Sequence, residues 1–203
     1  GARDGGVRIW APHDNERLVH ALRAPQNDET NEAWGAVRCL AFSGSRERVW
    51  AGSDDGYVRQ FVVGTGELML RFRAHASRLY DVAFSPELNL LASCGQDQLL
   101  KLWRGDVEVD AARHDAWVHG VAFAPGGRLV ATAGADLTVN VFHVTEGGSF
   151  GFHSELKRHE GAVTCLAFAP AEAGGGLASG SVDGTIALWR RLEEDTDATD
   201  SDA

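Results

Sequence analysis

An aspartate stands six residues before an aromatic five times along this 203-residue chain: Asp4/Trp10, Asp55/Phe61, Asp97/Trp103, Asp136/Phe142 and Asp183/Trp189. The successive aromatics are 51, 42, 39 and 47 residues apart. A period of about 40 residues marks a repeat array, in which no unit buries its apolar face alone and each must stack on its neighbours. Residues that recur in every copy therefore belong first to the architecture and only second to any chemistry.

Within each period four segments follow in fixed order. An apolar strand comes first (37–42, 79–86, 118–125, 163–170), then a strand of small residues (49–53, 90–95, 129–134, 177–181). A tight turn carries the aspartate, and a third strand ends on the aromatic (57–61, 99–103, 138–142, 185–189). A more polar fourth strand precedes the next copy (67–73, 107–113, about 150–158). Short strands with period-two alternation, as in Leu100-Lys101-Leu102-Trp103, punctuated by Gly, Pro and Asp, predict all-β structure. Four such strands make one sheet, and sheets stacked radially make a propeller. Two strands (7–10 and about 17–23) precede the first full copy and the last copy stops at Trp189, giving about four blades plus two extra strands, 17 strands in all.

Composition narrows the function. No apolar run approaches the ~18 residues of a membrane span, and no secretory signal opens the chain. Residues 193–203 hold six acids and no base, more than half of the net charge of −10, and read as a disordered acidic tail behind a propeller at 1–192. An acidic body argues against nucleic acid, whose phosphates demand a basic footprint. Cys39, Cys94 and Cys165 form no CxxC and no even set, and read as small buried thiols of a reducing compartment. The expectation is an intracellular protein, cytoplasmic rather than nuclear. A first residue that is Gly, with Met69 the only methionine, is what a fragment or processed chain would show.

On the run Leu177-Ala178-Ser179-Gly180-Ser181-Val182-Asp183-Gly184-Thr185-Ile186-Ala187-Leu188-Trp189, and its copies in register over residues 3–192, the chain resembles the WD-repeat family. The resemblance implies a β-propeller of four-stranded antiparallel blades, commonly closed at seven, so this chain is expected to be part of a seven- or eight-bladed ring. Upstream sequence, a second copy or a partner chain would supply the rest. It also implies a hydrogen-bonded tetrad of His, Ser or Thr, Asp and Trp in each blade. Carried over, it gives His75, Ser93, Asp97 and Trp103 in one blade and His159, Ser179, Asp183 and Trp189 in another. Between them stand His114, Thr132 and Asp136, with Phe142 replacing the Trp. The first full blade keeps only Asp55, with Ala33, Ala51 and Phe61 elsewhere, and should be the loosest.

A His, a Ser and an Asp invite a hydrolase reading, but the trio recurs in three blades, while a catalytic centre needs one. The serines lie in small-residue strands, and no Gly-x-Ser-x-Gly elbow, phosphate-binding glycine loop or metal-ligand spacing is found; His143, His153 and His159 have no ligand partners in sequence. No enzyme, cofactor, metal or small-molecule substrate is expected.

Function should lie in loops on the rigid scaffold. The family's usual partner-binding face maps to Arg38, Asp54, Arg78, Tyr80, Gln96, Trp117, His119 and Thr164. Arg78, Tyr80 and Trp117 are the residue types of interface hot spots, although Tyr80 and Trp117 could instead pack between blades. Trp34, the one large apolar residue of the connection 24–35, is either a loop anchor or an exposed contact, and 146–150 reads as a mobile loop. The leading expectation is a non-catalytic scaffold for protein or peptide partners. The alternatives are a C-terminal regulatory propeller of a larger signalling enzyme or ATPase, and an architectural subunit of a large assembly.

Overall fold

The computed structural model describes residues 3, 5–11, 17–22, 34–170 and 176–190. The described residues form seventeen strands and no helix. Strands β1 (Val7–Ala11) and β2 (Arg17–Leu22) pair as a hairpin. Blade 1 contains β3 (Val37–Phe42), β4 (Arg48–Ser53), β5 (Tyr57–Val62) and β6 (Leu68–Arg73). Blade 2 contains β7 (Leu79–Ser85), β8 (Leu90–Gly95), β9 (Leu99–Arg104) and β10 (Val107–Arg113). Blade 3 contains β11 (Val118–Phe123), β12 (Leu129–Gly134), β13 (Thr138–Val144) and β14 (Phe150–Lys157). Blade 4 has β15 (Val163–Phe168), β16 (Leu177–Ser181) and β17 (Ile186–Trp189). Each sheet is antiparallel in chain order, and β3, β7, β11 and β15 lie side by side, so the blades fan around the line of first strands.

The alternation of side chains fixes this stacking. In β13, Phe142 and Val144 turn toward blade 2, whereas Val139 and Val141 turn toward blade 4. Each blade thus feeds two cores. Leu100 and Leu102 meet Val118 and Val121 between blades 2 and 3, and Trp50 and Val58 meet Leu79 and Trp103 between blades 1 and 2. Every residue of β8 is buried, as a strand sandwiched on both faces requires. Burying each Leu or Val of these layers contributes about 1.5–3 kcal/mol.

The aspartate of each turn accepts the N–H two residues on, from Tyr57, Leu99, Thr138 and Thr185. The residue between is left-handed: Gly56 (φ 79°), Gln98 (69°), Leu137 (72°) and Gly184 (83°). Glycine takes that conformation freely, whereas Gln98 and Leu137 are strained in it.

Two sequence expectations are corrected. The 146–150 segment is a closed hairpin turn, with Gly148 N–H donating to Thr145 O at 2.9 Å, and it docks on blade 2 through Arg104 Nη2 to Glu146 O (3.1 Å) and Phe150 N–H to Asp110 (2.8 Å). Of the three free thiols, Cys94 is buried and Cys39 half-buried, but Cys165 is exposed. Cys39 packs against the core between blades 1 and 2, while among the described residues no core cluster covers the same face of blade 4. The connection 24–33, the glycines Gly174 and Gly175, and the acidic tail lie outside the described residues.

Candidate interaction site: a bulged rim over buried relays

In blade 2 the four sequence-chosen residues meet. Trp103 Nε1–H donates to Ser93 Oγ at 2.8 Å, Ser93 lies 2.8 Å from His75 Nε2, and His75 Nδ1 lies 2.8 Å from Asp97 Oδ1. With Trp103 as a donor only, the network assigns the Ser93 proton to Nε2 and the ring proton to Nδ1, facing the carboxylate. Burial alone would raise the Asp97 carboxyl, but the His75 bond and the Ala76 and Leu99 N–H groups hold it below the usual range. Ser93 and His75 are wholly buried and every polar atom of the serine is engaged, so no substrate carbonyl can reach it. In blade 4 the relay runs from Trp189 through Ser179 (2.9 Å) to His159 (2.8 Å), then by way of Thr185 Oγ1 (2.9 Å) to Asp183 (2.7 Å).

Blade 3 departs from the expected set. His114 Nε2 lies 3.4 Å from Thr132 Oγ1, but Asn140 Nδ2, not Asp136, approaches His114 Nδ1, at 3.1 Å. Asp136 is spent on Thr138, accepting from its N–H at 3.1 Å and its hydroxyl at 2.7 Å. An amide donor meets an unprotonated nitrogen, so the His114 proton sits on Nε2, facing Thr132, whose oxygen no longer receives an indole N–H because Phe142 replaces Trp. Burial lowers the His114 pKa and keeps the ring neutral.

Blade 1 is held by a different set of bonds. Arg59, buried to 1% exposure, donates through Nη2 to Asp55 Oδ2 (2.6 Å) and through Nη1 to Ser53 Oγ (2.6 Å). Its guanidinium stacks on Trp34 at 4.4 Å and faces Tyr57 at 5.3 Å. Trp34 is thus buried, at 8% exposure. The cation makes to Asp55 the bond that the imidazole of His75 makes to Asp97 in blade 2. Sequence reasoning missed Arg59; the signal was that Ala33, Ala51 and Phe61 remove three tetrad members from one copy, which obliges something else to fill it.

Above the relays runs a rim. The pairing of each first strand with the second skips one residue, between Val37 and Cys39, Leu79 and Asp81, Val118 and Gly120, and Val163 and Cys165. The skipped residues are Arg38, Tyr80, His119 and Thr164. A β-bulge leaves its extra residue out of the ladder and re-aims its side chain. Beside each bulge, the N–H of Asp54, Gln96, Ala135 or Val182 donates to the carbonyl of Ala36, Arg78, Trp117 or Ala162, at 2.8–3.0 Å, which fixes the same rim geometry in all four blades.

The rim changes character from blade to blade. In blade 1, Arg38 and Asp54 form a bidentate pair, both bonds 2.8 Å, and the arginine bond and charge hold the Asp54 carboxyl low. In blades 2 and 3, Tyr80 lies 5.1 Å from His119 and 6.4 Å from Trp117, and Trp117 remains 45% exposed. Half-buried Tyr80 and exposed Trp117 therefore meet across the blade boundary. Burial depresses the His119 pKa, so the ring presents a neutral edge. Arg78 is exposed between the ion pair and the aromatics, and Thr164 is exposed on blade 4. Among the described residues no cluster of three or more His, Cys, Asp or Glu is placed to hold a metal.

Solved structures with this architecture include the crystal structures of two computationally designed proteins. Ika8 matches at TM-score 0.74 and 25% identity over 94% of this chain and 54% of its own, and Ika4 at 0.65 and 26% over 77% and 92%. Among curated relatives, protein transport protein SEC13 of Coccidioides immitis is 42% identical over 77 residues, 38% of this chain and 25% of that protein. Protein HIR1 of Eremothecium gossypii is 29% identical over 185 residues, 76% of this chain and 22% of its own. Eukaryotic translation initiation factor 3 subunit I of Danio rerio is 25% identical over 191 residues, 82% and 57%. The chain thus spans between about a fifth and three fifths of these relatives' lengths. The family profile described as WD domain, G-beta repeat matches residues 66–104, 111–143 and 151–190, more than half of the chain. Each match opens on the fourth strand of one blade and closes on the third strand of the next, so the sequence repeat staples two sheets together. The chain belongs to the WD-repeat family.

Proposed function

We propose that the protein is a non-catalytic interaction scaffold whose contact surface is the bulged rim, centred on Arg78, Tyr80, Trp117 and His119. The observation that carries this reading is the bulge at the head of every first strand, which takes one side chain per blade out of the ladder and aims it from a rigid frame. Tyr, Trp and Arg dominate interface hot spots, and the rim offers all three within one blade boundary. The partner this chemistry suits is a protein segment with an apolar or aromatic side chain for Trp117 and Tyr80 and a carboxylate for Arg78, since Arg38 is already neutralised by Asp54. The relatives' names, a protein transport protein and a subunit of a translation initiation factor, support a role within assemblies. The relays are structural: their hydroxyls and imidazoles are enclosed and satisfied. The three unpaired thiols favour an intracellular setting, and the acidic body disfavours nucleic acid.

A longer ring is part of this reading. Val139 and Val141 are 0% and 6% exposed under blade 4, whereas Ile186 and Leu188, their counterparts on blade 4, are 77% and 74% exposed. An apolar blade face of this kind wants another blade against it.

The test is quantitative co-purification from the native source of the wild type, Trp117→Ala, Arg78→Ala and an outer-strand control, Met69→Ser. Rim variants should melt like wild type and lose their partners by about tenfold or more, as hot-spot truncations do. Retention of every partner by the rim variants, with loss in the control, would reject the rim.

A further inference from the structure

A second set of bulges lies at the opposite, outer margin of the blades. The pairing of the third and fourth strands skips Met69 in blade 1, Val109 in blade 2 and His153 in blade 3. The residue that follows the repeat's aromatic in each blade is Val62, Arg104 or His143. Only blade 3 has two imidazoles at this pair of positions, and the bulge brings them together. The rings of His143 and His153 lie 4.4 Å apart, centroid to centroid, at an interplanar angle of 68°, and both residues are exposed.

That spacing is close to a chelate. An imidazole nitrogen binds a first-row ion at about 2.0–2.1 Å, which puts two rings cis on one ion at a centroid separation of about 4.5–5 Å. Sharing an ion requires the two exposed rings to turn from this edge-on contact until a nitrogen of each faces it. The strands are held by the β13–β14 ladder and by the closed turn at Thr145 and Ser149 (3.1 Å), so the two ligands are pre-positioned by the backbone. Among the described residues no acid or thiol joins them, so a bound ion would complete its shell with water.

We propose that His143 and His153 form a surface site for a borderline divalent first-row ion. With two imidazoles and water as ligands, affinity should follow Cu²⁺ above Ni²⁺ and Zn²⁺, with no measurable binding of Mg²⁺ or Ca²⁺, which require oxygen. The site is independent of the rim and of the interaction reading, since it lies on the outer strands and uses none of the rim's residues.

The experiment is titration of the intact protein, free of any affinity tag, with Cu²⁺ and then Ni²⁺ alone, by calorimetry and by broadening of the histidine ring resonances. One ion per chain is expected, with both rings broadened at the first equivalent. His143→Asn and His153→Asn should each weaken uptake by about tenfold or more, because a chelate that loses one arm loses its effective concentration. The double variant should then fall little further, which a pair of independent surface histidines would not reproduce. Both positions are exposed, and unchanged melting of the variants in the absence of metal confirms that the fold is intact; His143→Gln serves if the Asn variant melts early. No uptake by the wild type, additive losses, or uptake that keeps the wild-type affinity in the double variant each overturn the proposal.

Discussion

Replacing Arg59 by Met tests how blade 1 is held. The substitution keeps most of the apolar stem between Trp34 and Tyr57 but removes the bonds to Asp55 Oδ2 and Ser53 Oγ, both 2.6 Å, and the longer one to Asp55 Oδ1 at 3.3 Å. Breaking a buried ion pair on one side costs about 3–5 kcal/mol. Asp55 keeps the Ser53 hydroxyl (2.6 Å) and the Tyr57 N–H (3.0 Å) and is partly exposed, which places the loss near the lower end of that range. The cation–π contact with Trp34 adds about 1–2 kcal/mol, part of which the Met thioether recovers on the ring. The expected loss is about 3–4 kcal/mol, read by urea unfolding followed through tryptophan fluorescence. Arg59→Met with Asp55→Asn should recover most of it, because no charge is then left unpaired. Acid titration gives an independent reading. Burial alone would raise the Asp55 carboxyl, but the bonds from Arg59, Ser53 and Tyr57 and the guanidinium charge bring it down to about 2. A depressed folded pKa gives stability that is present above the ordinary 3.8 and is lost as pH falls toward 2, and this slope should flatten in Arg59→Met. A loss under 1 kcal/mol, or a double variant no better than the single, would refute the buried pair as the blade's clamp.

Other outcomes follow from the same coordinates. Burial raises the Asp81 carboxyl to about 6 despite N–H bonds from Val121 (3.0 Å) and Val82 (2.9 Å). A raised folded pKa in an acid means that the folded state holds the proton more tightly, so this group's contribution to stability falls, by at most about 3 kcal/mol, as pH rises from about 4 to 6. Subtracting the Asp81→Asn urea profile from wild type should show that decline, and a difference that rises with pH would count against it. Trp103→Phe removes the indole donor from buried Ser93 and should cost about 1–3 kcal/mol; unchanged stability would mean that the relay is dispensable. At the left-handed turn positions the signs should be opposite, as read by thermal melts. Gly56→Ala puts a Cβ against the His75 carbonyl and should destabilise, whereas Leu137→Gly should stabilise by up to about 1 kcal/mol.

Much of the fold was legible in the sequence. The period, the alternation in β9 and β13 and the Asp turns fixed the seventeen strands, several to the residue, because stacked sheets bury both faces and leave an unmistakable pattern. The relay of blade 2 was expected only from the resemblance to the WD-repeat family, whose four members are all present there. Where a member is lost, the replacement was not legible: Arg59 serves blade 1 from within a strand, and Asn140 meets His114 in place of Asp136, which is bonded to Thr138. Bulges were also hidden, because a residue skipped by the ladder looks in sequence like any other step of a strand. They decide which side chains leave the sheet, both at Tyr80 and His119 on the rim and at His153, ten positions from His143 yet in edge-on contact with it.

The central claim is that partners read the bulged rim. It is tested most directly by placing a photo-reactive phenylalanine analogue at Tyr80 or Thr164 on the rim, or at Met69 or Phe152 on the outer strands, and cross-linking in the native source. Cross-links to the same protein from Tyr80 and Thr164, and none from Met69 and Phe152, are the expected result. Cross-links confined to the outer strands would contradict the account.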